Sequence, residues 1–117
     1  MRTSLLFPLL LAACATPITP DARYTGPLTP TTPSALCKPS NAVLRLRNGQ
    51  ALFIPDETTW SLTGTATADG ALAAERTSQG ANRQPYLTRL TGAWTPQSVT
   101  GAYTTPRCAY TLTLTRN

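Results

Sequence analysis

From Trp60 to Ala68 the chain alternates without a break: Trp60, Leu62, Gly64, Ala66 and Ala68 on one side, Ser61 and the Thr residues between them on the other. A period of two marks a strand with one buried face. The same period returns three times further on. Tyr86, Leu90, Gly92 and Trp94 define one face, and Val99, Gly101 and Tyr103 the next. Cys108, Tyr110, Leu112 and Leu114 define the last, with Ala109, Thr111, Thr113 and Thr115 on its outer side. Leu72 to Arg76 reads as a weaker, Ala-rich strand.

Between Val43 and Ile54 two alternating runs flank Asn48-Gly49. Asn-Gly is the strongest short hairpin signal, because both turn residues must accept positive φ. A two-residue closure sets Arg47 opposite Gln50 and Leu44 opposite Phe53. Leu44, Leu46, Ala51 and Phe53 then share the inner face, and Arg45, Arg47 and Gln50 share the outer face with Val43, Leu52 and Ile54. That outer face is mixed, so a partial cover over it is expected. Asp69-Gly70 predicts a second two-residue turn. The sum is an all-β chain: a small antiparallel meander barrel or sandwich of about seven strands.

Leu90-Thr91-Gly92-Ala93-Trp94 and Val99-Thr100-Gly101-Ala102-Tyr103 repeat one pattern, and Leu62-Thr63-Gly64 repeats its first half. Each Gly falls on the apolar face, where a missing side chain lets a sheet coil sharply. The alternative is space cleared for a ligand inside. Composition agrees with strands: 22 of 117 residues are Thr, which favours them, and 11 are Pro, which excludes long helices.

Residues 15–36 differ from the rest. Pro17, Pro20, Pro27, Pro30 and Pro33 recur there among Thr and Ser. Pro lacks the amide donor, so the expectation is an extended spacer of up to ~70 Å. The alternative has this stretch dock on a partner through Ile18 and Tyr24. On this reading residues 1–13 are a signal, 14–36 a tether beginning at Cys14, and 37–117 the folded domain.

Arg2 precedes the apolar run Leu5 to Leu11, which is too short to span a bilayer and ends at small residues. Leu11-Ala12-Ala13-Cys14 resembles the lipobox of bacterial lipoproteins. The resemblance covers the first 14 positions and implies lipidation of Cys14. It places the protein in the cell envelope on a lipid anchor. Ala15, where an Asp would favour inner-membrane retention, implies the outer membrane, facing the periplasm. The formal charge of +5 falls to +4 with Arg2 removed. In an exported protein that balance points to anionic lipid, glycan or an acidic protein, not to nucleic acid.

With Cys14 taken, Cys37 and Cys108 remain, and an oxidising compartment predicts a disulfide between them. Catalytic chemistry is scarce. The chain has no His, so no ordinary triad forms, and two isolated Cys cannot complete a zinc site. Asp56 and Glu57 are neighbours expected in a loop, and no carboxylate pair is spaced for hydrolysis. No metal or cofactor is expected and the protein is read as non-enzymatic. Thr77 to Pro85 forms the longest polar loop, making Arg76, Arg83 and Arg89 candidate partner contacts. Trp60 and Trp94 are read as core, with a glycan-binding rim as the alternative.

The expected function is an envelope lipoprotein that binds or supports another envelope component, a protein or a glycan, through an exposed patch such as Val43, Leu52 and Ile54. One alternative is an inhibitor of a lysozyme- or protease-type hydrolase, since small lipid-anchored inhibitor barrels look like this in architecture. The other is a calycin-like carrier of a small ligand.

Overall fold

The structure, a computed structural model, describes residues 21–55 and 60–117. The signal, Cys14, Asp56 and Glu57 lie outside the described residues.

Eight antiparallel strands close into a barrel in chain order: β1 (Ala22–Pro30), β2 (Ser40–Arg47), β3 (Gln50–Pro55), β4 (Leu62–Ala66), β5 (Ala71–Gln79), β6 (Pro85–Trp94), β7 (Ser98–Thr104) and β8 (Ala109–Arg116). β1 pairs with β8 and seals the ring. The expected antiparallel meander is therefore present, with one more strand than expected.

The extra strand corrects the expected tether. Residues 22–30 are a stave of the barrel, and the folded unit begins before Cys37. Tyr24 and Leu28 point inward with Gly26 between them, while Arg23, Pro27 and Thr29 face out. Tyr24 is the bulkiest of the fully buried side chains, so it fills the core instead of reaching for a partner. Two prolines fit because the strand uses its edges unequally. Pairing to β2 runs unbroken from Ala22 to Leu28. Pairing to β8 skips Gly26 and Pro27, between Thr25↔Thr115 and Leu28↔Leu112, so the missing amide of Pro27 falls in a gap of that ladder.

The β2–β3 hairpin has the register its turn dictates. Leu44 faces Phe53 and Arg47 faces Gln50, with Asn48 at φ 52° and Gly49 at φ 79°. Leu44, Leu46, Ala51 and Phe53 are buried. Val43, Leu52 and Ile54 are half-buried on the outer wall. The β4–β5 turn is one residue longer than expected. Thr67 and Ala71 pair across Ala68, Asp69 and Gly70, and Gly70 takes φ 101°, a three-residue hairpin loop closed by a left-handed residue. The Asp69 carboxylate accepts from the Thr67 hydroxyl and, at 3.2 Å, from the Ala71 amide. These bonds, that from Thr67 foremost, hold it below its ordinary pKa.

An eight-stranded barrel has an interior just wide enough for side chains. Tyr24, Leu28, Leu44, Phe53, Leu62, Leu90, Val99 and Leu114 occupy it. Gly92 and Gly101 face each other across β6 and β7. A Cβ on Gly92 would lie 2.2 Å from the Thr100 carbonyl oxygen and 2.8 Å from the Gly101 Cα. The neighbouring backbone already occupies the space a side chain would take here, so this glycine permits close strand packing in the closed barrel rather than clearing room for a ligand.

Cys37 and Cys108 form a disulfide, with Cα atoms 5.7 Å apart. It ties the β1–β2 connection to the start of β8. The start of β1, at Ala22, lies at the opposite pole with the 48–49, 68–70 and 95–97 turns.

Candidate functional site

The disulfide pole carries the most distinctive feature. β5 and β6 stay paired from Ala71↔Ala93 out to Gln79↔Pro85. Their outer neighbours stop earlier: β4 at Thr63↔Glu75 and β7 at Arg89↔Thr104. Residues 76–79 and 85–88 therefore pair only with each other, as an arm standing past the barrel rim. This corrects the expected loop at Thr77 to Pro85, of which only residues 80–84 connect the strands. Thr88, at the base of the arm, is fully buried and Ser78 half-buried, while Thr77 and Gln79, and Pro85, Tyr86 and Leu87 opposite, are exposed beyond it.

The tip is tightly drawn. The Gly80 amide donates to the Gln84 carbonyl at 2.9 Å, and the Arg83 amide to the Gly80 carbonyl at 3.2 Å. Ala81–Arg83 fill it as a tight non-helical turn, with Asn82 at φ 60° and Arg83 at φ 59° in the left-handed region. Left-handed backbone at a residue other than Gly costs of order 1 kcal/mol or more, and such costs concentrate at sites of contact.

The three candidate arginines divide into different roles. Arg76 braces the arm: its guanidinium lies 5.2 Å from the centre of the Trp60 ring, its Nε donates to Ser78 Oγ at 3.2 Å, and its Nη1 to the Ser61 carbonyl at 3.4 Å. Arg89 stands on the outer wall and pairs with Glu75 at 3.2 Å, directly across the ladder. Both side chains are about half exposed, so the pair contributes under about 1 kcal/mol. Arg83 stands at the tip. The structure does not bring the three together.

Apolar groups supply the rest of the surface. Tyr86 and Leu87 are 38% and 40% exposed, and as neighbours on a strand they point to opposite faces of the arm. Leu36, 71% exposed, stands between two depressions. One, of about 620 Å³, lies against Pro85, Tyr86 and Pro106. The other, of about 470 Å³, is the barrel mouth, with Trp60, Tyr103 and Tyr110 around it. Tyr103 stacks on Tyr110 with ring centroids 5.5 Å apart, and beneath them the fully buried Phe53 is tilted against Tyr103 at 5.3 Å. The two tryptophans thus part company: Trp94 is buried and donates to the Thr67 carbonyl at 2.8 Å, while Trp60 is half-buried at the rim.

Leu36 and Leu87 were not singled out from sequence. The signal for Leu87 was available: Tyr86-Leu87 places two large apolar groups side by side in a strand, and only one can face a core.

Among the described residues no group of three His, Cys, Asp or Glu could hold a metal ion. No protein family, no curated protein and no solved structure matches the chain.

Proposed function

We propose that the protein is a non-enzymatic lipoprotein of the cell envelope, anchored through Cys14 in the outer membrane, that presents the β5–β6 arm to a protein partner in the periplasm. The supporting observation is the arm itself. It stands at the pole away from Ala22, and it carries exposed Tyr86 and Leu87 and a tip at Arg83. A solvent-facing two-stranded arm with two large apolar side chains lacks cover of its own. The filled interior favours this reading over a carrier, because the barrel holds side chains where a ligand would sit.

A photo-crosslinking residue placed at position 86 or 87 in intact envelopes tests this. One discrete protein adduct is expected from each, and none from the outward Thr113 on the barrel wall. Equal labelling from position 113, or none from the arm, overturns the arm as the contact surface. Mass spectrometry of the mature protein should find acyl chains on Cys14, and an unmodified Cys14 overturns the anchor.

The second reading, an inhibitor of a lysozyme- or protease-type hydrolase, draws on the same arm, since a narrow projecting hairpin is a shape that enters a cleft. A hydrolase in the adduct, losing activity when the protein is added, selects it. In that case Arg83→Ala should weaken inhibition at least tenfold.

A further inference from the structure

The opposite pole carries a second surface. Arg23 on β1 sits directly opposite Arg45 on β2, and Arg47 follows two residues on. All three are exposed, on the outer wall of the barrel. With Asp21 and Leu52 they border a depression of about 760 Å³. Like charges directly opposed across a ladder destabilise a sheet. Further round the same transverse row Arg89 has Glu75 for a partner. Among the described residues no carboxylate, Asp21 included, lies within ion-pair distance of Arg23, Arg45 or Arg47. Half-buried Val43, Leu52 and Ile54 adjoin them on β2 and β3.

We infer that this basic wall lies against the bilayer and binds the phosphates of anionic lipid headgroups. The inference rests on the lipid-anchor reading for its orientation. Only residues 15–21 separate Cys14 from Ala22. Fully extended, that connection reaches no further than about 28 Å. A spacer that short holds Ala22 within about 28 Å of the anchored Cys14, close enough for this pole to rest on the membrane, and Arg23 is the next residue. Guanidinium groups match phosphate oxygens in paired hydrogen bonds, and the neighbouring aliphatic side chains suit the headgroup boundary.

The test uses the mature chain with Cys14→Ser, so that no acyl chain contributes. It should sediment with vesicles containing about one-third phosphatidylglycerol, not with pure phosphatidylcholine, and 1 M salt should release it. Each arginine near an anionic surface adds roughly fivefold in affinity, so Arg45→Gln with Arg47→Gln should weaken binding about 25-fold. Lys38→Gln with Arg107→Gln, equal in charge but at the disulfide pole, should change it less than twofold. Circular dichroism melts establish that each variant is folded, and Arg47→Glu alone serves if the double variant is not. Equal binding to both vesicles, equal loss in both double variants, or release by millimolar inorganic phosphate overturns the inference. So does binding that survives only as capture of an acidic protein. Acylation of native Cys14 is read separately, so either conclusion can fail alone.

Discussion

The Tyr24 hydroxyl donates a 2.7 Å hydrogen bond to the Thr95 carbonyl, linking the first strand to the β6–β7 turn across 71 residues of sequence. Tyr24 is fully buried, and its phenol reaches the rim with the one polar atom the ring carries. Tyr24→Phe keeps the packing and loses the bond, so thermal unfolding should report a loss of about 1 kcal/mol.

The same residue sets an alkaline limit. Burial raises the Tyr24 pKa above its ordinary 10.0, against a smaller lowering by Arg116. The folded state then binds a proton that the unfolded state releases. Its contribution is complete below pH 10 and is lost as pH rises beyond it. The stability gap between wild type and Tyr24→Phe should therefore narrow above pH 10, as followed by denaturant melts across that range. A constant gap would show that the phenol ionises freely.

The fold beyond these residues was partly legible. Asn48-Gly49 fixed the β2–β3 register, because a two-residue turn leaves one way to pair. β1 was hidden by prolines: Pro27 and Pro30 weigh against a ladder, and sequence does not show that one edge of a strand can spare a donor. Yet Tyr24-Thr25-Gly26 is a further copy of the apolar-Thr-Gly pattern found at positions 62, 90 and 99, with its Gly inward like the others. The candidate site was less legible. The pairing of Arg89 with Glu75, and the stacking of Arg76 on Trp60, depend on register and on a loop outside either strand. Charge alone does not reveal whether an arginine already has a neighbour.

Gly92 and Gly49 separate two reasons for glycine. Gly92→Ala drives a methyl into backbone atoms that cannot swing aside, and should cost about 3 kcal/mol or more. Gly49→Ala meets nothing nearer than 3.7 Å and suffers only from its φ of 79°, so about 1 kcal/mol is expected. Chemical denaturation of both variants checks the order.

The disulfide closes a loop spanning 71 residues of sequence, for which the chain-entropy account gives roughly 4 kcal/mol. Cys37→Ser with Cys108→Ser should lower the melting temperature by well over 10 °C for a domain this small. Unchanged melting would mean that the reduced chain is already constrained there.

A chain beginning at Asp21 should fold, and one beginning at Cys37 should not. The shorter chain keeps the disulfide but loses β1, which uncovers the free edges of β2 and β8 and removes Tyr24 and Leu28 from the core. Exposed edges recruit other strands. Size-exclusion chromatography should find a monomer for the first and aggregates for the second.

The seam between β1 and β8 also orders events in time. The second stave to touch β1 is β8, seven strands further along the chain. A ribosome delivers β1 first, so this strand keeps one unsatisfied side until β8 has emerged. Ring closure thus follows every other pairing, and a chain stalled before β8 would be an open ribbon ready to join its neighbours.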